Sequence, residues 1–250
     1  MLPNTISSSP TSPWTPQNLL TVMQPVWPVK LSVQAATLLL QRGRITKFKS
    51  GAVIVRQGSS SGAMHILLVG QAQVVSLRSS GRELMRVVLG PGEAYSFLHV
   101  YHRDPHSSSL VSRGTCEVLI VSRQAWLETA DECSELKDAA ISIVTHRLRL
   151  ALDVIEFNNF STGIARLAHR LLWHIRKTPT FDSPDPTGQP HFDVRLTQAD
   201  LAKMLSLSRQ RTSALLHQLE QKGVITLKYG HLLVKDLESL RKIIASNDVE

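Results

Sequence analysis

Between residues 45 and 121 the apolar positions come as short runs broken by glycine. Gly51, Gly58, Gly62, Gly70, Gly81, Gly90 and Gly92 punctuate runs at residues 52–55, 65–69, 72–77, 84–89 and 116–121. Strand-length runs at regular spacing with turn residues between them predict an all-β barrel or jelly-roll-like domain. The period then changes. Residues 131–157 contain no glycine or proline, and Ile141, Val144, Leu148, Leu152 and Ile155 recur three or four apart. That spacing predicts a long helix with a narrow apolar seam, suited to packing on its own domain or on a second copy of itself. Residues 157–163 read as a hinge. Helical spacing resumes over 164–177, and residues 178–190, with four prolines and a glycine, read as a loop.

Residues 196–220 scan as two short helices joined by a tight turn. Leu201, Ala202 and Leu205 share a face of the first, and Thr212, Leu215, Leu216 and Leu219 face inward on the second. The second helix is left with Arg209, Gln210, Ser213, Ala214 and His217 on its other face. These are donors for base edges and phosphates, with one small residue that permits close approach, and a helix offering this face fits a DNA major groove. An ordinary helical hairpin with a solvated basic face shares the pattern. The next residues separate the two readings. Apolar residues 223–227 and 232–234 flank Lys228-Tyr229-Gly230-His231, which predicts a β-hairpin. Such a hairpin is the wing of a winged helix, and its tip suits a phosphate backbone. A last helix follows at about 237–245.

A net charge of +8 and a pI near 9.8 are compatible with a polyanionic partner. The charge is evenly spread: residues 1–160 hold 15 basic against 11 acidic side chains, and residues 161–250 hold 13 against 9. Residues 195–222, with 5 against 2, are richer in base. Cys116 and Cys133 are too few for a disulfide framework or a four-thiolate cluster, and read as buried thiols in a reducing compartment. No apolar run reaches membrane-spanning length, so no membrane partner is expected. The first 29 residues carry no charged side chain and lack the apolar core of a secretory signal. Neither a His-Glu-x-x-His zinc motif, a phosphate-binding glycine loop nor a nucleophile elbow is present, so an enzyme is not expected.

A glycine-punctuated β-roll, a long helix, a hinge and a winged helix-turn-helix, in that order, resemble the cyclic-AMP receptor and fumarate–nitrate regulator (Crp/Fnr) family of bacterial transcription factors over roughly residues 30–245. The motifs that carry the likeness are Ser50-Gly51 through Gly58, Leu68-Val69-Gly70, Leu89-Gly90-Pro91-Gly92-Glu93, and Leu207-Ser208-Arg209-Gln210 with Leu216, Leu219 and Glu220. The resemblance implies an α+β chain. A disordered tail at 1–17 precedes a jelly-roll-like, cyclic-nucleotide-binding-domain-like β-roll at 18–130, whose lead-in helix and turn occupy 18–41. A dimerisation helix spans 131–157 and a winged helix-turn-helix domain 158–250. It also implies a cytoplasmic homodimer on a palindromic operator of double-stranded DNA, with Ile141, Val144, Leu148, Leu152 and Ile155 at the dimer interface. An activator of this kind would also contact RNA polymerase. Thr197, Ser208, Arg209, Gln210, Arg211, Ser213, His217 and Lys228 are the expected DNA-contacting residues. Thr197 would cap its helix and bring its backbone amide to a phosphate.

The resemblance breaks at the ligand site. Cyclic-nucleotide-binding members carry Gly-Glu for the ribose hydroxyl where this chain has Ser96-Phe97. They carry Arg and Ser or Thr for the cyclic phosphate where it has His106-Ser107. They carry two hydroxyl residues for adenine where it has Ala151-Leu152. A buried phosphate without its arginine lacks a counter-charge, so no cyclic-AMP binding is expected. The effector is left open. An apolar molecule would sit at Phe97, Ala151 and Leu152, with His106 and Ser107 nearby. A haem or metal would use His99, His102 and His106, which otherwise form a solvated polar loop. Control without a small molecule, or by cysteine oxidation, completes the set. A second function class, a β-roll acting through protein contacts with a vestigial helix-turn-helix, is opposed by Arg209 and Gln210 standing together.

Overall fold

In the computed structural model, which describes residues 14–79, 81–177, 181–182 and 191–246, hydroxyl caps start both leading helices. The Thr15 side chain accepts the Asn18 amide at the head of α1 (Pro16–Met23), and Ser32 accepts the Ala35 amide at the head of α2 (Val33–Arg42). Then follow β1 (Gly43–Phe48), β2 (Val53–Val55), β3 (Met64–Leu77), β4 (Glu83–Leu89), β5 (Ala94–Tyr95), α3 (Phe97–Tyr101) and β6 (Ser109–Val121). They form one six-stranded sheet ordered β1-β6-β3-β4, with β2 on β6 and β5 on β3. Leu19, Met23, Trp27, Leu39, Phe97 and Trp126 belong to the cluster that buries α1, α2 and α3 against it.

Two glycines are required by close approach. Gly70 has φ 81°, and a Cβ there would lie 2.4 Å from the Thr115 carbonyl oxygen. The β3–β6 register shifts on either side of Val69 as the strand passes this point. Gly92 has φ 82°, and a Cβ would lie 2.1 Å from the Val22 carbonyl oxygen. The Trp27 indole donates to the Gly92 carbonyl at 2.7 Å. The Gly90-Pro91-Gly92-Glu93 motif is thus a turn against α1, closed by the Gly90 amide donating to Glu93 Oε2 at 2.8 Å.

Beyond β6 come α4 (Arg123–Glu132), α5 (Ser134–Phe160), α6 (Gly163–Lys177), β7 (Phe181–Asp182), β8 (His191–Val194), α7 (Gln198–Leu205), α8 (Arg209–Gln221), β9 (Ile225–Lys228), β10 (His231–Val234) and α9 (Leu237–Ala245). A second, antiparallel sheet runs β7-β8-β10-β9. The chain forms two compact units that divide within α5, between Arg147 and Leu148, with Glu83–Met85 grouped in the second. Among the described residues, no helix is long and apolar enough to cross a membrane.

Several boundaries differ from the expectation. Order begins before residue 18: α1 starts at Pro16, and the Trp14 indole donates to Glu117 Oε2 at 3.1 Å. The rest of the expected tail, residues 1–13, lies outside the described residues. The single lead-in helix is two helices, separated around Pro25 and Pro28. The runs at 65–69 and 72–77 are one strand, β3. The long helix starts at Ser134 rather than 131, because α4 ends at Glu132 and Cys133 leaves helical geometry. It also continues through the expected hinge to Phe160; only Ser161 and Thr162 separate it from α6. Asparagine is a weak helix former, but Phe157 stacks on His169 of α6 at 4.6 Å, and packing outweighs a few tenths of a kcal/mol of propensity. In the expected loop at 178–190, Phe181 and Asp182 pair with β8, and the other residues lie outside the described set. Four residues long, β8 offered no periodicity to read.

Candidate nucleic-acid interface and sensor site

The turn between α7 and α8 depends on two serines. Ser206 ends α7 in the left-handed region (φ 55°, ψ 34°), where glycine is the usual occupant. The Leu207 amide then reaches back to the Ala202 carbonyl at 3.0 Å. Ser208 caps α8, its hydroxyl accepting the Arg211 amide at 3.1 Å. Ser208 is therefore a helix cap first. Inside the angle of the two helices, Leu201, Thr212, Leu215, Leu216 and Leu219 are buried. Thr212 is fully buried, and its hydroxyl is satisfied by the Ser208 carbonyl at 3.0 Å.

That packing decides which side chains α8 offers outward. Arg209, Gln210, Arg211, Ala214 and His217 are exposed, and Ser213 is half-buried. At 3.6 residues per turn, Gln210, Ala214 and His217 share the outermost stripe, with Arg209 and Arg211 on its opposite flanks. His217 Nδ1 lies 3.3 Å from Glu220 Oε2, while Glu220 Oε1 accepts the Leu227 amide at 2.9 Å. The Leu227 amide is the main cause that holds the Glu220 carboxyl below the usual range. Glu220 thus ties the end of α8 to β9 and orients His217.

Thr197 caps α7 in a reciprocal box: its hydroxyl accepts the Asp200 amide at 3.1 Å, and Asp200 Oδ2 accepts the Thr197 amide at 3.0 Å. This corrects one expectation. The Thr197 amide is already donated to Asp200 within the cap and is not left free for an outside acceptor. The wing is the β9–β10 hairpin, in which His231 pairs with Lys228 and Gly230 turns at φ 77°. Tyr229 is completely exposed at its tip. A groove of about 260 Å³ separates the wing from the start of α7, lined by Thr197, Gln198, Lys228, Tyr229 and His231 among others. A concave surface with Lys228 on one wall suits an anionic backbone.

The sensor residues are not brought together as a ligand pocket. Phe97 is 3% exposed, with its ring 6.0 Å from both Trp27 and Trp126 in the core. It does not line an apolar pocket. Ala151 and Leu152 are exposed on α5. Ser107 is exposed and accepts Arg86 Nη1 at 3.4 Å. The three loop histidines also part company. His102 is exposed and pairs with Asp104 at 3.1 Å. His99, on α3, and His106 are buried. Their rings lie 3.6 Å apart, stacked at 19°. They are not a solvated loop, and no three His, Cys, Asp or Glu side chains among the described residues group to hold a metal ion. The three histidines therefore do not fit a metal ion as a triad, and the stacked rings of His99 and His106 leave no space between them for a haem. Cys116 and Cys133 are buried, and desolvation raises both thiols, which disfavours the reactive thiolate.

On α5, Ile141, Leu148, Leu152 and Ile155 stand 66%, 58%, 56% and 58% exposed. Val144 differs, being partly buried against the sensor core. Sequence reasoning missed His65, Tyr95, Arg147, Ser206 and the anchoring role of Glu220. A lone histidine in an apolar run or a lone arginine on a helix carries no local signal. Only Glu220 lay within a quoted motif.

Two family models match the chain: a cyclic nucleotide-binding domain over residues 45–133 and a Crp-like helix-turn-helix domain over residues 165–243. A cyclic AMP receptor protein from Thermus thermophilus is 25% identical over 196 residues, covering 78% of this chain and 86% of that protein. The nitrogen fixation regulation protein FixK of Azorhizobium caulinodans is 22% identical over 213 residues, covering 85% and 84%. Among solved structures, CooA of Carboxydothermus hydrogenoformans, as a mutant, superposes with TM-score 0.70 at 19% identity, covering 82% of this chain and 89% of that one. FixK2 of Bradyrhizobium japonicum gives TM-score 0.69 at 16% identity, covering 80% and 96%. With a cyclic-nucleotide-binding β-roll, a long helix and a Crp-like helix-turn-helix in one chain, the protein belongs to the Crp/Fnr family of transcription regulators.

Proposed function

We propose that the protein is a cytoplasmic, homodimeric regulator that reads a palindromic operator and does not respond to cyclic AMP. The observation that carries this reading is the outward face of α8. Its inner face is leucine-rich, with the one buried hydroxyl of Thr212 satisfied by Ser208, while Arg209, Gln210 and His217 are exposed and Ser213 half-buried beside a wing that bears Lys228. Arg209 and Gln210 take base edges, through guanine and adenine respectively. Arg211 and Ser213 supply a further base or phosphate contact, and Lys228 a phosphate. Ser208 and Thr197 hold the two helix starts in place. The exposed leucines and isoleucines of α5 supply the twofold contact that a palindrome requires. The domain division is sensor to about residue 133, dimerisation helix to Phe160, and DNA-binding domain beyond. As an activator it would also touch RNA polymerase. No arrangement of side chains described above supports catalysis.

The test is selection of duplexes from a random pool, with the native mass measured on the same preparation. A recovered palindrome bound by a dimer supports the reading. A monomer that retains no duplex at low salt ends it. Lys228→Ala should weaken all sequences alike and reduce the slope of log affinity against log salt by about one. A loss confined to one operator would instead place Lys228 on a base.

The sensor geometry supports leaving cyclic AMP out of this reading. Phe97 is sealed in the core and His106 is stacked on His99, so neither replaces the acid or the cation that a cyclic nucleotide needs. Titration with cyclic AMP or cyclic GMP should show no saturation below millimolar concentration. A saturable isotherm there would overturn the exclusion.

A further inference from the structure

The β-roll encloses a histidine cluster that DNA reading does not use. His106, 1% exposed, and His99, 9% exposed, lie face to face with centroids 3.6 Å apart. Tyr95 stacks against His106 at 5.7 Å and against His99 at 6.4 Å, and its hydroxyl donates to the Ser108 carbonyl at 2.9 Å. His65, 5% exposed on β3, places Nδ1 3.1 Å from Ser96 Oγ. Ser96 itself holds φ 88°, a left-handed conformation that is strained for serine. His106 Nε2 donates to the Ser61 carbonyl at 2.8 Å, which leaves Nδ1 as the second ring nitrogen. That Nδ1 and the Nδ1 of His99 are both buried without a hydrogen-bond partner.

We propose that the sensor domain responds to protons: uptake by the buried His65 and His99, opposed by the His106 ring stacked on His99, opens residues 94–106 and is passed to α5 through Arg147. The link to α5 is direct. Arg147 Nη2 donates to the Ala94 carbonyl at 2.9 Å, and its guanidinium lies 5.6 Å from the centre of the Phe97 ring. The segment that carries Tyr95, Ser96 and Phe97 is therefore fastened to the helix that bears the exposed seam.

The surrounding charges fix the direction of the response. Burial, aided by the neighbouring His106, holds His65 at about 4 and pushes His99 below the ordinary 6.5. Arg44 of β1 acts in the same sense on His65, while a backbone bond to Ala63 opposes it. The Pro105 carbonyl and the Asp104 carboxylate oppose the shift at His99. Arg86 of β4 acts on Tyr95, and Arg123 of α4 donates to the Val100 carbonyl at 2.7 Å. The folded values of His65 and His99 lie below the unfolded one. The closed cluster is thus fully favoured above about pH 6.5 and loses favour as pH falls from there toward 4.

The experiment uses the full chain. Ring resonances of His65 and His99 are followed by NMR, and tryptophan fluorescence, which includes Trp27 and Trp126 beside Phe97, is recorded from about pH 8 to about pH 3. Both rings should titrate below 6.5, with a fluorescence transition in the same window. His99→Phe keeps the stack and removes the proton site, and should move that transition to lower pH. On a selected duplex, the affinity change between about pH 7.5 and about pH 5.5 should be larger in the unaltered protein than in His99→Phe. His217 and His231 are common to both proteins, so their direct effects on DNA cancel in the comparison. Rings titrating at the ordinary value overturn proton sensing, even where the variant fails to fold. Titration as expected with equal DNA responses overturns the passage to α5. Failure to bind any duplex defeats the operator reading and leaves the ring titration standing on its own.

Discussion

The double substitution Leu148→Glu and Leu152→Glu should leave the chain monomeric, near its 27.7 kDa mass, and abolish measurable operator binding. Both leucines lie more than half exposed on α5, so a single chain gains little from them. A twofold contact buries each twice. Fully burying an exposed leucine side chain is worth about 1.5–3 kcal/mol; with a little over half of each still exposed, losing four removes roughly 3–7 kcal/mol before any cost of burying charge. The fold of each chain should survive, because neither residue belongs to the sensor core. Sedimentation or native mass, together with a thermal midpoint close to that of the unaltered protein, checks this. A variant that stays dimeric would place the twofold contact on another surface. A variant that unfolds would show that the seam packs within its own chain.

Arg209→Ala is expected to cost about 1–3 kcal/mol on the selected operator, roughly 5- to 150-fold in affinity, and to relax preference at one base position. The helix should not suffer. Arg209 is exposed at the first turn of α8, and the cap comes from the Ser208 hydroxyl and the Arg211 amide. The position on the helix sharpens the test. Gln210 lies on the outermost stripe beside Ala214 and His217, whereas Arg209 flanks it. A base-reading Arg209 weakens one operator selectively. A phosphate-binding Arg209 would weaken every duplex equally and lower the salt slope by about one. Unchanged affinity and preference would remove it from the interface altogether.

Legibility followed the range of the interactions. The helix-turn-helix could be read because its burial pattern is local: Thr212, Leu215, Leu216 and Leu219 repeat within three turns of one helix. The wing could be read because a glycine turn separates two short apolar runs, and α9 fell where its spacing placed it. The hinge at 157–163 was drawn too wide, since the break is Ser161–Thr162 alone: Asn158 and Asn159 suggested an earlier end, while the stacking of Phe157 on His169 depends on a residue well inside the next helix. The Thr197 amide was assigned to a phosphate because a capping box is completed by the side chain three residues on, and Asp200 had been read only as an acid.

By itself the amino-acid order determined the succession of β-roll, long helix and winged helix-turn-helix, and which face of α8 stays wet, since both follow from periodicities of two and 3.6 residues. Set beside the family it resembles, it also departs at the positions expected to hold a cyclic nucleotide's ribose and phosphate, at Ser96-Phe97 and His106-Ser107. Tertiary structure alone decided what stands in their place. Phe97 turns into the core against Trp27 and Trp126, His106 stacks on His99, and His65 arrives from another strand. These contacts join positions as far apart as Trp27 and Phe97, and the β3–β5 pairing brings His65 beside the segment that carries Ser96. Whether a histidine is solvated or buried depends on such long-range neighbours, and no local spacing encodes them.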